Sequence, residues 1–379
     1  MRNLFLSVVV IGAAVSATAQ VTPAAKPLMA EDVFKNVQVL KGISVDEFMA
    51  TMGFFAASLS LNCIDCHISE SSGDWSRYAD DTGLKRTSRR MVLMVNTLNK
   101  ANFGGSRTVT CYSCHRGATR PKPIPSLAVQ YSVPPPDDPN EIEILGGASA
   151  TPTADQILDR YIQAIGGKDR LAALKSFTAK GTYKGFDTEL EEIPVDIYAK
   201  APNQRTTSVH LLQGDSNRVY DGRAGWIAGA DKPVPLLTLT GKDLDGMKLE
   251  AELTFPATVK QTLGQWRTGF PKAVIDGREV QIVQGTGAGS SRVKMFFDKE
   301  SGLLLRTLRY TETAVGIVPT QIDYSDYRDV AGVKMPFHWT VTWTDGQSTT
   351  ELSEMLPNAP IDAAKFAKPA PAVNKTATR

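Results

Sequence analysis

Cysteine and histidine are scarce, four of each in 379 residues, so the place of every one can be examined. Charge of one sign is also missing. Lys and Arg number 42 against 40 Asp and Glu, a net charge of +2, and a nucleic-acid binder's whole-chain electrostatic footprint is absent. Beyond the N-terminus no apolar run approaches the ~18 residues a membrane-spanning helix needs. There is no nucleophile elbow for hydrolysis. Gly285-Thr286-Gly287-Ala288-Gly289 is glycine-rich, but it lacks the spacing and helix of a dinucleotide site and reads as a loop. The 42% hydrophobic and 22% charged composition is that of a globular protein. The length suggests about two to three domains.

The first residues read as a targeting segment. Met1-Arg2-Asn3 is a short positive start, Leu4 to Val15 is apolar, and Ala17-Thr18-Ala19 offers a small-residue cleavage site. No Cys lies near that point, which argues against a lipid anchor there. The expectation is a signal peptide over 1–19 and an exported, periplasmic protein, membrane-associated only through a partner.

Two further regions follow, separated by a proline-rich stretch. Pro121, Pro123, Pro125, Pro134-Pro135-Pro136 and Pro139, then Gly146-Gly147, mark extended semi-rigid chain, read as a linker over 126–151. Ala154 to Ile165 carries Ile157, Leu158, Tyr161, Ile162 and Ile165 at helical spacing. Thr151 or Thr153 can cap its start, and Gly166-Gly167 its end. From about Phe177 short alternating segments appear, such as Val195–Ile197, Val209–Leu211, Val280–Ile282, Val293–Phe297 and Trp339–Trp343. Turn signals at Asp221-Gly222, Asp276-Gly277 and Asp345-Gly346 separate them. This predicts one curved antiparallel sheet over 152–367, with a disordered tail over 368–379.

All four Cys lie between positions 63 and 114, in Cys63-Ile64-Asp65-Cys66-His67 and Cys111-Tyr112-Ser113-Cys114-His115. C-x-x-C-H attaches a c-type haem: two thiols add across the vinyl groups and the adjacent His ligates iron. A Cys₄ zinc site is the less fitting alternative, because such modules separate their pairs by about 15–20 residues. Structural disulfides would leave the His after both pairs unexplained. The expectation is two covalent haems, on Cys63 and Cys66, and on Cys111 and Cys114, with His67 and His115 as iron ligands.

The second axial ligand must come from elsewhere, and His210 and His338 lie far off in the strand-rich region. A helix-like run from Asp46 to Leu61 carries Met49 and Met52 ahead of the first motif. Another from Thr87 to Asn99 carries Met91 and Met94 ahead of the second. Within each pair the residues are three apart and share a face, so spacing alone does not choose between them.

These residues resemble a known family. Glu47-Phe48-Met49-Ala50-Thr51-Met52, Ser58-Leu59-Ser60-Leu61-Asn62-Cys63, the run Arg89 to Asn99, and Val109 to Gly117 are similar to the cytochrome c subunit of photosynthetic reaction centres and related dihaem proteins. The resemblance covers roughly residues 30–125. It implies an α-helical multihaem cytochrome domain over 20–125, with Met52 ligating the first haem and Met91 the second. It also implies electron transfer between periplasmic or membrane-bound redox proteins. The reaction-centre subunit carries four haems where this chain has motifs for two, and the lipid-anchor Cys often found there is missing. The resemblance therefore supports an electron-transfer module more than photosynthesis. The alternative is a dihaem oxidoreductase, peroxidase-like or quinol-oxidising, with an open haem site. Arg116 is placed to meet a haem propionate, Lys85-Arg86 and Arg89-Arg90 to meet an acidic partner, and Trp75 and Tyr78 to line a haem edge. Each has an ordinary structural explanation as well.

Residues 152–367 are similar, more weakly, to the lipoprotein-carrier (LolA/LolB-like) half-barrel. The carrying residues are Ala164 to Gly167, Tyr220 to Trp226, Phe297 to Leu304 and Tyr324 to Val330. The resemblance implies an α+β antiparallel half-barrel whose concave face could take a lipid, quinone or acyl chain. Phe255, Trp266 and Trp339 could equally fill that face. His210 and His338 read as ordinary strand residues.

Overall fold

Helix signals precede residue 175 and strand signals follow it, and the backbone keeps that division except for two helices, Gly241–Thr254 and Val259–Thr262, set among the strands. The computed structural model describes residues 26–68, 75–134, 138–142, 144, 152–230, 232–269, 273–286 and 292–373. The proposed signal segment and the last six residues of the tail lie outside these.

The helical elements are α1 (Ala30–Val33), α2 (Val45–Leu59), α3 (Cys63–Cys66), α4 (Gly83–Asn102), α5 (Cys111–His115) and α6 (Leu127–Gln130). Then come α7 (Ala154–Ala164), α8 (Lys168–Ala173), α9 (Gly241–Thr254) and α10 (Val259–Thr262). Side-chain caps start several of them, satisfying amide N–H groups that lack an intrahelical partner. Ser44 accepts from Glu47 N at the head of α2, and Thr82 from Lys85 N at the head of α4. At α7 the cap is Thr153, in a reciprocal box with Gln156.

The strands are β1 (Ser176–Gly185), β2 (Ile193–Lys200), β3 (Gln204–Val209), β4 (Ser216–Tyr220), β5 (Gly225–Ala228), β6 (Leu236–Thr238) and β7 (Gly264–Thr268). They continue with β8 (Ala273–Ile275), β9 (Arg278–Thr286), β10 (Arg292–Asp298), β11 (Leu304–Glu312), β12 (Ile317–Val330), β13 (Val333–Trp343) and β14 (Gly346–Pro357). They form one antiparallel sheet in the order β6-β5-β4-β3-β2-β1-β14-β13-β12-β11-β10-β9-β7, with β8 on β9. β1 pairs with β14, Phe177 opposite Pro357, which joins two meanders into one curved surface. β6 and β7 stand at opposite edges, so the sheet does not close. The Asp-Gly signals sit where expected. Asp276 and Gly277 both take left-handed φ between β8 and β9. Asp221 Oδ1 accepts from the N–H groups of Arg223 and Ala224 between β4 and β5.

The concave face holds the main core. In β2 the buried residues alternate as Val195, Ile197 and Ala199. They face Ile157, Leu158, Tyr161, Ile162 and Ile165 of α7, with Phe255 and Val259 beyond. Trp266 and Trp339 pack against this core. A cavity of about 90 Å³ remains among Tyr161, Arg205, Tyr324 and Trp339.

β10 is buried on both faces. Its Phe296 turns to a second cluster with Ile282, Leu305, Leu308 and Ile144, the last contributed by the chain leaving the proline-rich stretch. There Lys294 Nζ donates to the carbonyls of Asn140 (2.7 Å) and Ile142 (2.6 Å), and Tyr310 Oη donates to Asn140 O (2.9 Å). At the other end of the chain Phe366 is buried, and Ala372 N donates to Pro235 O.

The haem-motif segment packs directly on the turns of the sheet. Leu40, Phe54 and Val92 share a cluster with Val315 and Val318 around the β11–β12 turn. Thr240 N, before α9, donates to Asp46 Oδ2 of α2 (3.4 Å). Arg107 pairs with Glu312 at 3.6 Å. α2 approaches Asp345 in the β13–β14 turn closely: a Cβ added at Gly53 would lie 2.7 Å from Asp345 Oδ1, so the carboxylate would have to move.

Candidate functional site

Each C-x-x-C-H motif begins a short helix, and each has its own reciprocal cap. Asn62 accepts from Asp65 N while Asp65 accepts from Asn62 N, and Thr110 and Ser113 do the same. The cap fixes the first Cys at the first helical position. The second Cys, three residues on, then shares its face. All four cysteines are free thiols with partly or fully exposed side chains. Burial pushes the thiols of Cys63, Cys66 and Cys111 upward, so they stay protonated at neutral pH.

The two histidines are oriented alike. His67 Nδ1 lies 3.0 Å from Tyr78 O, and His115 Nδ1 lies 3.0 Å from Ala118 O. A carbonyl oxygen only accepts, so each Nδ1 must carry the proton, and in the neutral ring Nε2 is then the nitrogen with the lone pair. This is the tautomer an iron ligand needs, and the backbone carbonyl is the outer partner that sets the ring's orientation. Burial, with the Lys85 charge, holds His67 below the usual imidazole range, and so neutral. The Tyr78 carbonyl also accepts from Lys85 Nζ (2.8 Å), and the Tyr78 ring packs on His67 at 4.6 Å. Thr82, the cap of α4, donates to Cys66 O (2.7 Å), which ties the first motif to the helix that leads to the second.

The second motif is tied back to α2. Arg116 and Gly117 take left-handed φ, and the reversed chain makes Gly117 N donate to Ser58 O (3.0 Å) and Thr119 Oγ1 to Leu59 O (3.3 Å). Asn99 bridges to Val109 in both directions, at 2.7 and 3.0 Å, so the end of α4 holds the approach to Cys111.

The candidate methionines lie on apolar helix faces that the protein itself only partly buries. On α2, Phe48, Met52, Phe55, Ala56 and Leu59 fall on one helical face, all half-buried, with Met52 near its centre and Met49, 38% exposed, at its edge. On α4, Val92, Val95 and Asn99 point inward. Beside them runs a face of Leu84, Met91, Met94 and Leu98; Met91 is half-buried and Met94 is 50% exposed. A half-buried apolar row on α2 and a more exposed one on α4, on the helices that precede the two C-x-x-C-H motifs in sequence, are the faces against which flat apolar haem groups would lie.

Among the described residues no three His, Cys, Asp or Glu side chains gather as a metal-ion site. No described helix is long and apolar enough to cross a membrane. His210 sits between Asp196 and Asp215, and His338 Nδ1 bonds Ser325 Oγ at 2.8 Å, both in the strand-rich region. Arg116 is exposed. The Tyr78 and Ala118 carbonyls escape sequence reading, because every residue has one and only the fold selects which accepts.

A family model described as Photosynthetic reaction centre cytochrome C subunit matches residues 7–141. Over 98 residues the chain is 42% identical to the photosynthetic reaction center cytochrome c subunit of Thermochromatium tepidum, covering 24% of this chain and 23% of that protein. The same subunit of Rubrivivax gelatinosus is 38% identical over 104 residues, covering 26% and 27%. The chain thus spans about a quarter of the length of these curated relatives. A LolA superfamily protein from Nitrosomonas europaea overlays 57% of this chain and 98% of its own at 14% identity and a TM-score of 0.39. The segment bearing both C-x-x-C-H motifs is thus similar to the photosynthetic reaction-centre cytochrome c subunit, and it is joined here to a large open antiparallel sheet.

Proposed function

We propose that this chain is an exported dihaem c-type cytochrome that passes electrons between periplasmic or membrane-bound redox partners. Cys63 and Cys66 hold one haem with His67 as ligand, and Cys111 and Cys114 hold the other with His115. Met52 and Met91 complete the two irons. The observation that carries this reading is the pair of imidazoles, each directly following a Cys pair in sequence, whose Nδ1–H is fixed by a backbone carbonyl. A haem with His and Met axial ligands supplies one-electron transfer at a potential raised relative to bis-His ligation. The chain's own part is to clamp the ligand rings, exclude water with the α2 and α4 faces, and set the surface that partners meet. The domain limits follow: signal peptide 1–19, dihaem segment 20–125, connection 126–151, half-barrel 152–367 and tail 368–379. A lipid, quinone or acyl chain is the ligand proposed for the concave face of the half-barrel, where the cavity of about 90 Å³ would take only the end of such a molecule.

A pyridine haemochrome assay on the purified chain tests this directly. Two c-type haems per chain are expected; one or none refutes the reading. Carbon monoxide binding by the native reduced protein at neutral pH would transfer the case to an oxidoreductase with an open iron.

A further inference from the structure

Charge is unevenly distributed along this nearly neutral chain. Between Thr82 and Pro136 stand nine Lys and Arg and no Asp or Glu, which leaves 33 cations against 40 carboxylates elsewhere. The second C-x-x-C-H motif lies inside this stretch. Three of the nine are held by a carboxylate or a carbonyl: Arg89 by Asp81 at 2.7 Å, Arg107 by Glu312 at 3.6 Å, and Lys85 by the carbonyls of Tyr78 and Asp80, while Arg90 donates only to the neighbouring Thr87 hydroxyl. The other six, Arg86, Arg90, Lys100, Arg116, Arg120 and Lys122, are exposed, and no described carboxylate lies within 4 Å of any of them.

Three of these share one stripe. Arg86, Arg90, Leu93, Thr97 and Lys100 recur at helical spacing on the outer side of α4, opposite the buried Val92, Val95 and Asn99. Leu93, 55% exposed, lies between the cations. An apolar centre with a charged rim is the anatomy of a transient protein interface. One leucine is too little apolar area to insert into a bilayer. The stripe ends at the Asn99–Val109 bridge that leads into Cys111, so a partner seated there is next to the second motif.

We propose that the outer face of α4 is the docking surface for an acidic redox protein, which exchanges electrons through the second haem site. This rests on the dihaem reading and adds the sign of the partner's charge and the place where it sits. Opposite charge across such a surface raises the encounter rate and orients the partner, and salt screens both effects.

The test uses the full-length holoprotein in stopped flow against two redox proteins, an acidic blue-copper protein and a basic monohaem cytochrome c. The acidic protein should react faster at low salt, and its rate should fall at least about tenfold as salt screens the stripe. The variant R86E/R90E/K100E should lose about the same factor at low salt while keeping its haemochrome and visible spectrum. R86Q/R90Q/K100Q should fall between. With both haems present, a rate indifferent to salt and to charge reversal overturns the proposal. Cosedimentation of the wild type but not the reversed variant with phosphatidylglycerol vesicles, together with a salt-indifferent protein rate, overturns it in favour of a lipid surface. A haem content below two faults the preceding reading instead. In that case, optical binding of the acidic protein to the immobilised chain decides the stripe without haem: salt-sensitive binding lost in the reversed variant supports it, and no binding overturns it.

Discussion

Phe54 lies flat against Gly316. A Cβ at Gly316 would fall 2.2 Å from Phe54 Cζ, closer than any real side chain stands. Phe54 belongs to α2, the helix that leads to the first haem motif, and Gly316 to the β11–β12 turn. The two parts of the chain therefore share a close-packed contact, with Val315, Val318 and Val92 around it.

Over-packing this contact should loosen the join. Gly316→Ala is expected to cost about 1–3 kcal/mol, because close-packed neighbours cannot yield without off-rotamer strain. Gly316→Val should cost more. The denaturant midpoint measures both, and an unchanged midpoint for both variants would show that Phe54 moves aside freely.

Asp46 makes the same join sensitive to pH. Burial, then the charge of Asp243, raises its carboxyl to about 6, against the N–H that Thr240 donates to it. A carboxylate with a raised folded pKa is penalised when ionised. The penalty is absent below the unfolded value near 3.8, grows between there and 6, and is complete above. Asp46→Asn, which keeps the acceptor for Thr240, should stabilise the protein at pH 7 by about 1 kcal/mol after allowance for solvent screening. The gain should vanish near pH 3.5. Thermal melts across that range check the sign, and a gain that grows on acidification would contradict it.

The methionines should separate cleanly by spectroscopy. Met52→Ala and Met91→Ala are each expected to convert one haem to high spin, while Met49→Ala and Met94→Ala leave both low-spin. Visible spectra and electron paramagnetic resonance read the outcome. The reverse pattern would move the ligands to the exposed residue of each pair.

Lys294 holds the chain between the proline-rich stretch and the sheet. Lys294→Met keeps much of its bulk but removes the donor to Asn140 O and Ile142 O. Leaving such acceptors short costs about 1–3 kcal/mol. The expected result is earlier unfolding and faster limited proteolysis between residues 134 and 144. Equal cleavage rates in wild type and variant would show that Phe296, Leu305 and Ile144 alone hold this segment.

Much of this protein is written in short-range pattern. The Met-bearing helices, the Thr153 cap, the Asp-Gly turns and the alternation in β2 depend on residues a few positions apart, and the structure has them where the sequence places them. The two C-x-x-C-H motifs are equally local, since a helical turn and a cap suffice to present two thiols and an imidazole together. The carbonyl partners are different. Ala118 is three residues from His115 and follows from the left-handed reversal at Arg116, whereas Tyr78 is eleven from His67 and reaches it only because Thr82 ties α4 to Cys66.

What the amino-acid sequence by itself determined is the kind of chemistry and the kinds of element: two haem-attachment motifs, two methionine helices, and a strand-rich second half. Only the tertiary structure decided that α2 is pressed onto Gly316 and Asp345, that Asp46 meets Thr240, and that Ile144 covers Phe296. These contacts join residues some hundred and fifty to nearly three hundred positions apart. Their partners are chosen by close packing and desolvation once the chain has folded, and no local spacing encodes which pairs will meet.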